Sequence, residues 1–238
     1  MKKKILTLAL VLALVAIMVG GSLAYFTDND EVTNTFTVGS VKIEIFENGE
    51  LTKEDVVTFE EPLVPVVNAD PSQDSGYIEK AVDVHNTGVN AAYIRTHIAI
   101  PTNLVGYLYL DLDETGWNRQ ADSTAVVGNV NYTVFTYDYN TALESGKNTG
   151  DLLKGVYLGS DVDLKEDSDG NLWFVRKVNG EIIHESGFQA HTKSGDAYTS
   201  EKVNILVASQ AIQAQGFENS TVSEALTTGF PAHPWPTA

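Results

Sequence analysis

The 238-residue sequence predicts an all-β protein, an antiparallel β-sandwich with short helical decorations behind an N-terminal export signal. Three observations predict it. Apolar and polar residues alternate with a period of two through most of the chain, as half-buried strands require. Asn-Gly pairs and similar turn signals punctuate those runs. One late run, "KVNILVASQAIQ", is apolar on both faces, as in a strand covered on both sides.

The elements follow in chain order. Lys2, Lys3 and Lys4 precede a charge-free apolar run of 15 residues, Ile5–Val19, then Gly20-Gly21 and the small-residue pattern Ser22-Leu23-Ala24. This is the layout of a signal-peptide helix, residues 1–24, cleaved between Ala24 and Tyr25. The run is short of the about 20 residues a bilayer span needs, and a retained membrane anchor is the alternative. A single domain, 25–238, is expected to follow. Its first strand, 25–38, carries Tyr25 and Phe26 and then places Val32, Phe36 and Val38 on one face and Thr33, Thr35 and Thr37 on the other. Gly39-Ser40 reads as a bulge or kink, after which Val41, Ile43 and Ile45 continue the apolar face.

Asn48-Gly49 reads as a tight turn. The three prolines within 60–75 read as a connecting loop. Residues 76–100 read as a hairpin, with Ile78, Val82 and Val84 returning as Ile94, Ile98 and Ile100 across a turn at Asn86-Thr87-Gly88. Its outer face would then bring Glu79 opposite His97 and Asp83 within reach of Arg95. A short helix is expected around Leu104–Leu110, and helix or loop over Thr141–Lys154. "VNYTVFTYDYN" reads as a strand, and "NLWFVRKVNGEIIHESGF" as a hairpin turning at Asn179-Gly180. Thr221 and Glu224 form a capping box for a short helix closed near Gly229. The proline-rich tail 230–238 is expected to be mobile.

Composition narrows the function. Losing three lysines with the signal takes the formal charge from −17 to −20, which disfavours nucleic acid and anionic lipid as partners. The 43% apolar content suits a packed domain. With no cysteine, the chain has neither disulfides nor thiol chemistry.

No catalytic constellation stands out, and no cofactor or small-molecule substrate is expected. The five histidines lack the spacing of a zinc-protease helix. His184 and His191 lie seven apart in a segment read as strand and loop, and solvated strand-edge positions explain them more simply than a metal does. In "DVDLKEDSDGNL" the calcium-loop register puts Lys165 and Arg176 where the first and last carboxylates belong, so a hairpin turn is expected there.

Four blocks carry a resemblance: "GGSLAYFTD", "NTFTVGSVKIEI", "VHNTGVNAAYIRTHI" and "ILVASQAIQAQGF". Together they resemble the TasA/camelysin family of secreted bacterial proteins. The likeness spans both ends of the mature chain and leaves 101–200 individual. It implies a jelly-roll-like sandwich, release by a dedicated ER-type signal peptidase, and self-assembly into extracellular fibres of the biofilm matrix, with an accessory anchoring or assembly protein as a further partner. It also implies secretion to the matrix or the cell surface. Some family members are described as metallo-endopeptidases, which is the alternative function, and a monomeric surface adhesin is a third. In such fibres a free N-terminal strand of one subunit can complete a sheet of its neighbour. Tyr25, Phe26, Val32, Phe36 and Val38 are the candidate residues for that donated strand. The same strand would serve equally well folded back into its own sheet.

Overall fold

The computed structural model describes residues 27–29, 41–51, 56–58, 63–195 and 197–237. They form an antiparallel β-sandwich of three sheets with one α-helix.

The first sheet contains β1 (Thr27–Asn29), β4 (Val56–Thr58), β6 (Ala92–Pro101), β8 (Trp117–Arg119), β9 (Ser123–Val127), β10 (Val130–Tyr139) and β16 (Asn204–Gln213). Its order is β1-β16-β6-β10-β8, with β4 also on β16 and β9 also on β10. The second sheet has the order β3-β2-β5-β11-β7. Those strands are β2 (Ile43–Glu47), β3 (Glu50–Leu51), β5 (Ile78–Asn86), β7 (Leu108–Leu112) and β11 (Leu153–Leu158). The third is the meander of β12 (Val162–Glu166), β13 (Leu172–Val178), β14 (Glu181–Ser194) and β15 (Ala197–Ser200).

The main core lies between the first two sheets. Ile94, Ile98, Ile205, Val207 and Ala211 meet Ile43, Ile45, Val82, Val84, Leu153 and Val156 there, all buried. Within this apolar layer Thr96 and Ser209 satisfy each other at 2.9 Å. The opposite residues of β6, β10 and β16 face outward, and they too are covered. α1 (Val222–Gly229) packs Ala225 and Leu226 on Ile212, and Trp235 of the tail packs against the cluster of Ala99, Ala125, Tyr132, Val134 and Leu206. β16 is therefore buried on both faces, as its sequence predicts.

The turns follow their sequence chemistry. Asn48-Gly49 and Asn179-Gly180 have positive φ at both positions, the backbone of a two-residue primed turn. Thr221 caps α1 with both bonds of the capping box.

Three expectations are corrected. Residues 76–100 are not a hairpin. β5 pairs with β2 and β11, while β6 pairs with β16 and β10, so the turn at Asn86-Thr87-Gly88 carries the chain from one sheet to the other. Buried Asn86 anchors this crossing by donating to the carbonyls of Asn90 and Leu143, both at 2.8 Å. Glu79 and His97 therefore lie in different sheets, as do Asp83 and Arg95. In place of a helix at Leu104–Leu110 there is a 3-10 turn, Thr102–Leu104, and then β7, whose apolar residues face the core. Of the two readings of Thr141–Lys154, helix or loop, the chain takes the loop up to the start of β11. The tail is docked: Phe230 and His233 are buried, and the Val126 amide donates to the Pro236 carbonyl at 2.9 Å. Its prolines forbid a ladder, but its aromatic rings fill the apolar outer face that α1 leaves uncovered.

Candidate assembly edge and the polar cluster beneath the tail

β16 is flanked on its inner side by β6 from Leu206 to Gln213. On its outer side β4 pairs with Asn204, Ile205 and Leu206, and β1 pairs with Gln210, Ala211 and Ile212. Two short strands thus share one edge, and one of them begins two residues beyond Tyr25. The signal-cleavage residues Ala24 and Tyr25 and the strand candidates Phe26, Val32, Phe36 and Val38 lie outside the described residues.

The outer face of β6 carries a polar cluster that sequence reasoning assigned to other partners. Arg95 Nε donates to Asp138 Oδ1 at 2.6 Å, and a terminal nitrogen donates to Oδ2 at 2.9 Å. Both residues are buried, at 7% and 1% exposure. The same guanidinium reaches the Phe230 carbonyl and the Thr227 hydroxyl, each at 3.3 Å, so it ties the sheet to both α1 and the tail.

His97 sits beside it between Thr136 and Gln210. The Gln210 Oε1 oxygen, 3.0 Å away, can only accept, so His97 Nε2 carries the proton and Nδ1 accepts from the Thr136 hydroxyl. The imidazole is held neutral: burial pushes its pKa down to about 4, and Arg95 and His233 nearby add to that against the raising influence of Gln210 and Asp138. Gln210 passes the connection on by donating to the Ala232 carbonyl at 3.3 Å. His233 Nε2 lies 3.1 Å from the Thr124 carbonyl and so carries its proton, which leaves Nδ1 a buried acceptor without a partner among the described residues. The cleft here, roughly 630 Å³, is lined by Arg95, His97, Thr124, Thr136, Thr227 and His233 among others. Its hydrogen bonds clamp the tail onto the sheet. The readable signal is the alternation of Arg95 and His97 on one strand face. Their partners, Asp138 for Arg95 and Thr136 and Gln210 for His97, are far off in sequence, which is why pairing by proximity fails.

The other singled-out residues are dispersed. His85 bonds Asp83 at 2.7 Å on the outer face of β5 and stacks on Phe46. His184 bonds the Tyr107 hydroxyl at 2.5 Å, and His191 meets Ser200 at 3.1 Å. Among the described residues, no three His, Cys, Asp or Glu side chains are grouped as a metal ion needs. The acidic segment after β12 is a hairpin turn built on Asp167. Its carboxylate accepts from the Asp169 and Asn171 amides, the Asn171 side chain and the Trp173 indole, and the indole bond leads in holding its pKa down to about 2.

What this geometry defines is an antiparallel β-sandwich with a clamped C-terminal tail and a composite edge at β16. No family model matches the chain, and no curated protein matches it.

Proposed function

We propose that the chain is a secreted structural subunit of extracellular, biofilm-matrix fibres. In this reading the segment Tyr25–Val38 of one copy pairs with the β16 edge of the next. The observation that carries the proposal is the pairing of Thr27–Asn29 with Gln210–Ile212 on the outermost position of the first sheet. What a chain's own segment does in cis, the same segment of a neighbour can do in trans, because the acceptor edge is identical. Three register pairs are a weak hold: a few hydrogen bonds, each worth about 0.5–1.5 kcal/mol net, oppose exchange. A longer intermolecular pairing over the alternating face of Val32, Phe36 and Val38 would add roughly 1.5–3 kcal/mol per buried apolar side chain.

The resemblance of the cleavage-site and β16 blocks to the TasA/camelysin family supports the same reading. Export would release Tyr25 as a new N-terminus, so the signal would also prevent assembly inside the cell. The partners are further copies of this chain, an accessory anchoring or assembly protein, and the signal peptidase. The test is electron microscopy and sedimentation of the secreted protein with and without Tyr25–Thr33. Fibres from the intact chain and soluble monomer with an unchanged β-type circular dichroism spectrum from the truncation are expected. Fibres from the truncation, or none from the intact chain, overturn the proposal.

A further inference from the structure

A row of aromatic rings runs along β11 on the outer face of the second sheet. The end of β11 and the residue after it read Gly155-Val156-Tyr157-Leu158-Gly159, and Val156 and Leu158 point into the core. Gly155, Tyr157 and Gly159 therefore share the outer face. Tyrosines from either side lie over the two glycines. A Cβ on Gly155 would fall 2.2 Å from Cζ of Tyr77, and one on Gly159 would fall 2.8 Å from Cε2 of Tyr109. Both glycines are needed for the space, not for the backbone.

The rings are held near parallel. Tyr77 comes from the β5 side, and its hydroxyl crosses β11 to donate to Asp111 on β7 at 2.8 Å. Asp111 is the residue paired with Gly155, so the ring spans the strand over that glycine. Tyr109, the register partner of Tyr157, is tied by its hydroxyl to the Gly106 carbonyl at 3.3 Å. The Tyr77 and Tyr157 planes are within 27° of parallel with centroids 6.4 Å apart, and those of Tyr109 and Tyr157 within 16° at 5.6 Å. Tyr109 is 37% exposed, so the row is open at that end.

The surroundings select the chemistry. Two of the three phenol hydroxyls are committed to protein acceptors, so they have no hydrogen left for a ligand. The carboxylates beside the rings, Asp111 and Glu79, the latter paired with Gly155 from the other side, are acceptors, and the nearby cations are already paired, Lys154 with Asp113 and Arg176 with Asp161. A matching ligand presents weakly polarised C–H faces to the rings and donates hydrogen bonds at its edge. A pyranose chain does both. A peptide would need donors for its carbonyls, and an acidic glycan would meet carboxylates on a protein of net charge −17.

We propose that Tyr77, Tyr157 and Tyr109 form a binding platform for a neutral polysaccharide, with sugar rings stacked along β11 and hydroxyls donating to Asp111 and Glu79. The platform belongs to each subunit and does not depend on assembly.

The test is native affinity electrophoresis of the purified chain through gels holding hydroxyethyl cellulose, galactomannan or polygalacturonate, with decaproline titrated in parallel by tyrosine fluorescence. Retardation in at least one neutral gel and none in polygalacturonate is expected. Tyr109→Ala should bind about tenfold more weakly, the size of one lost stacking contact, while Tyr109→Phe binds like the parent. Circular dichroism checks that each variant is folded, and Glu79→Gln gives an independent, exposed second site whose affinity should also fall. Three results each overturn the proposal: no retardation in either neutral gel, equal retardation of Tyr109→Ala, or ring-dependent binding of decaproline alone. The last would assign the platform to a protein partner.

Discussion

Arg95 grips Asp138 through two nitrogens beneath the C-terminal tail, and the same guanidinium holds the Phe230 carbonyl. The bidentate geometry compensates two buried charges and leaves each dependent on the other. Asp138→Ala should therefore cost about 3–5 kcal/mol, because it strands the guanidinium in the interior. Replacing both residues by apolar ones, Arg95→Met with Asp138→Leu, should cost less than Asp138→Ala alone. Urea unfolding of the three variants measures this. A double variant as unstable as the sum of its singles would show that the pair itself, and not the orphaned charge, carries the stability.

His97 should make stability pH-dependent over a defined window. The folded state holds the imidazole neutral down to about pH 4, against an ordinary value of 6.5. Between those values the unfolded chain binds a proton that the folded chain does not, so stability falls as pH is lowered from 6.5 to 4 and then levels off for this group. The loss is on the order of 3 kcal/mol. His97→Gln removes the titrating group, so the difference between parent and variant stability should shrink or reverse across that window. A difference that is flat from pH 7 to pH 4, by urea titration, would refute the neutral assignment.

How much of this is legible in the sequence depends on whether a residue's partner is local. Asn179-Gly180 and Thr221–Glu224 fix their backbone within four residues, and both are readable without the structure. The alternation of β5 and β6 is also legible on the core side, through Val82, Val84, Ile94, Ile98 and Ile100, but the burial of Arg95 and His97 on the other face is not. The strands' partners are not legible either. Asn86-Thr87-Gly88 marks a reversal, but whether the chain returns beside its own strand or in the facing sheet is decided by β2, β11 and β16. Asn86 closes that crossing through Leu143, 57 residues away. The docked tail escapes sequence reading for the same reason, since the face it covers is made of β6, β9, β10 and β16.

The Asp167 turn should ignore calcium. Its carboxylate already accepts four N–H groups, and these hold the turn between β12 and β13 closed. Millimolar calcium should leave the melting temperature unchanged. Asp167→Ala should lower it and red-shift Trp173 emission as the indole loses its acceptor. A calcium-dependent rise in melting temperature that disappears in Asp167→Ala would restore the ion-binding reading.

Trp235 should act as the fastener of the tail. It packs with the Ala99, Ala125, Tyr132, Val134 and Leu206 cluster, while His233 and Pro236 are bonded to Thr124 and Val126 on β9. Trp235→Ala should cost roughly 1.5–3 kcal/mol, the burial of one large apolar side chain. It should also speed hydrogen exchange at the Val126 amide and increase binding of a hydrophobic dye as the outer face opens. Unchanged exchange at Val126 would mean that the tail is held by its backbone and polar bonds alone.

The proposed exchange at β16 makes a last prediction that separates donation from fold-back. If the edge accepts Tyr25–Val38 in trans, a synthetic peptide of that sequence competes for it. The peptide carries the same alternating Val32, Phe36 and Val38 face but no sandwich behind it, so a subunit that accepts it has no site left for the next copy. Excess peptide added before assembly should give short fibres or monomers, in proportion to dose, without altering the β-type spectrum. A Phe36→Asp peptide should be inert, because a charge on that face cannot be buried without a partner. A folded tag before Tyr25 should block assembly until it is cut away, since a donated strand needs a free start. Fold-back predicts different results: the subunit's own segment already fills the edge, neither peptide acts, and cutting the tag changes nothing. Sedimentation with electron microscopy reads all of these. If fibres form at full length under saturating parent peptide, β16 is not the acceptor.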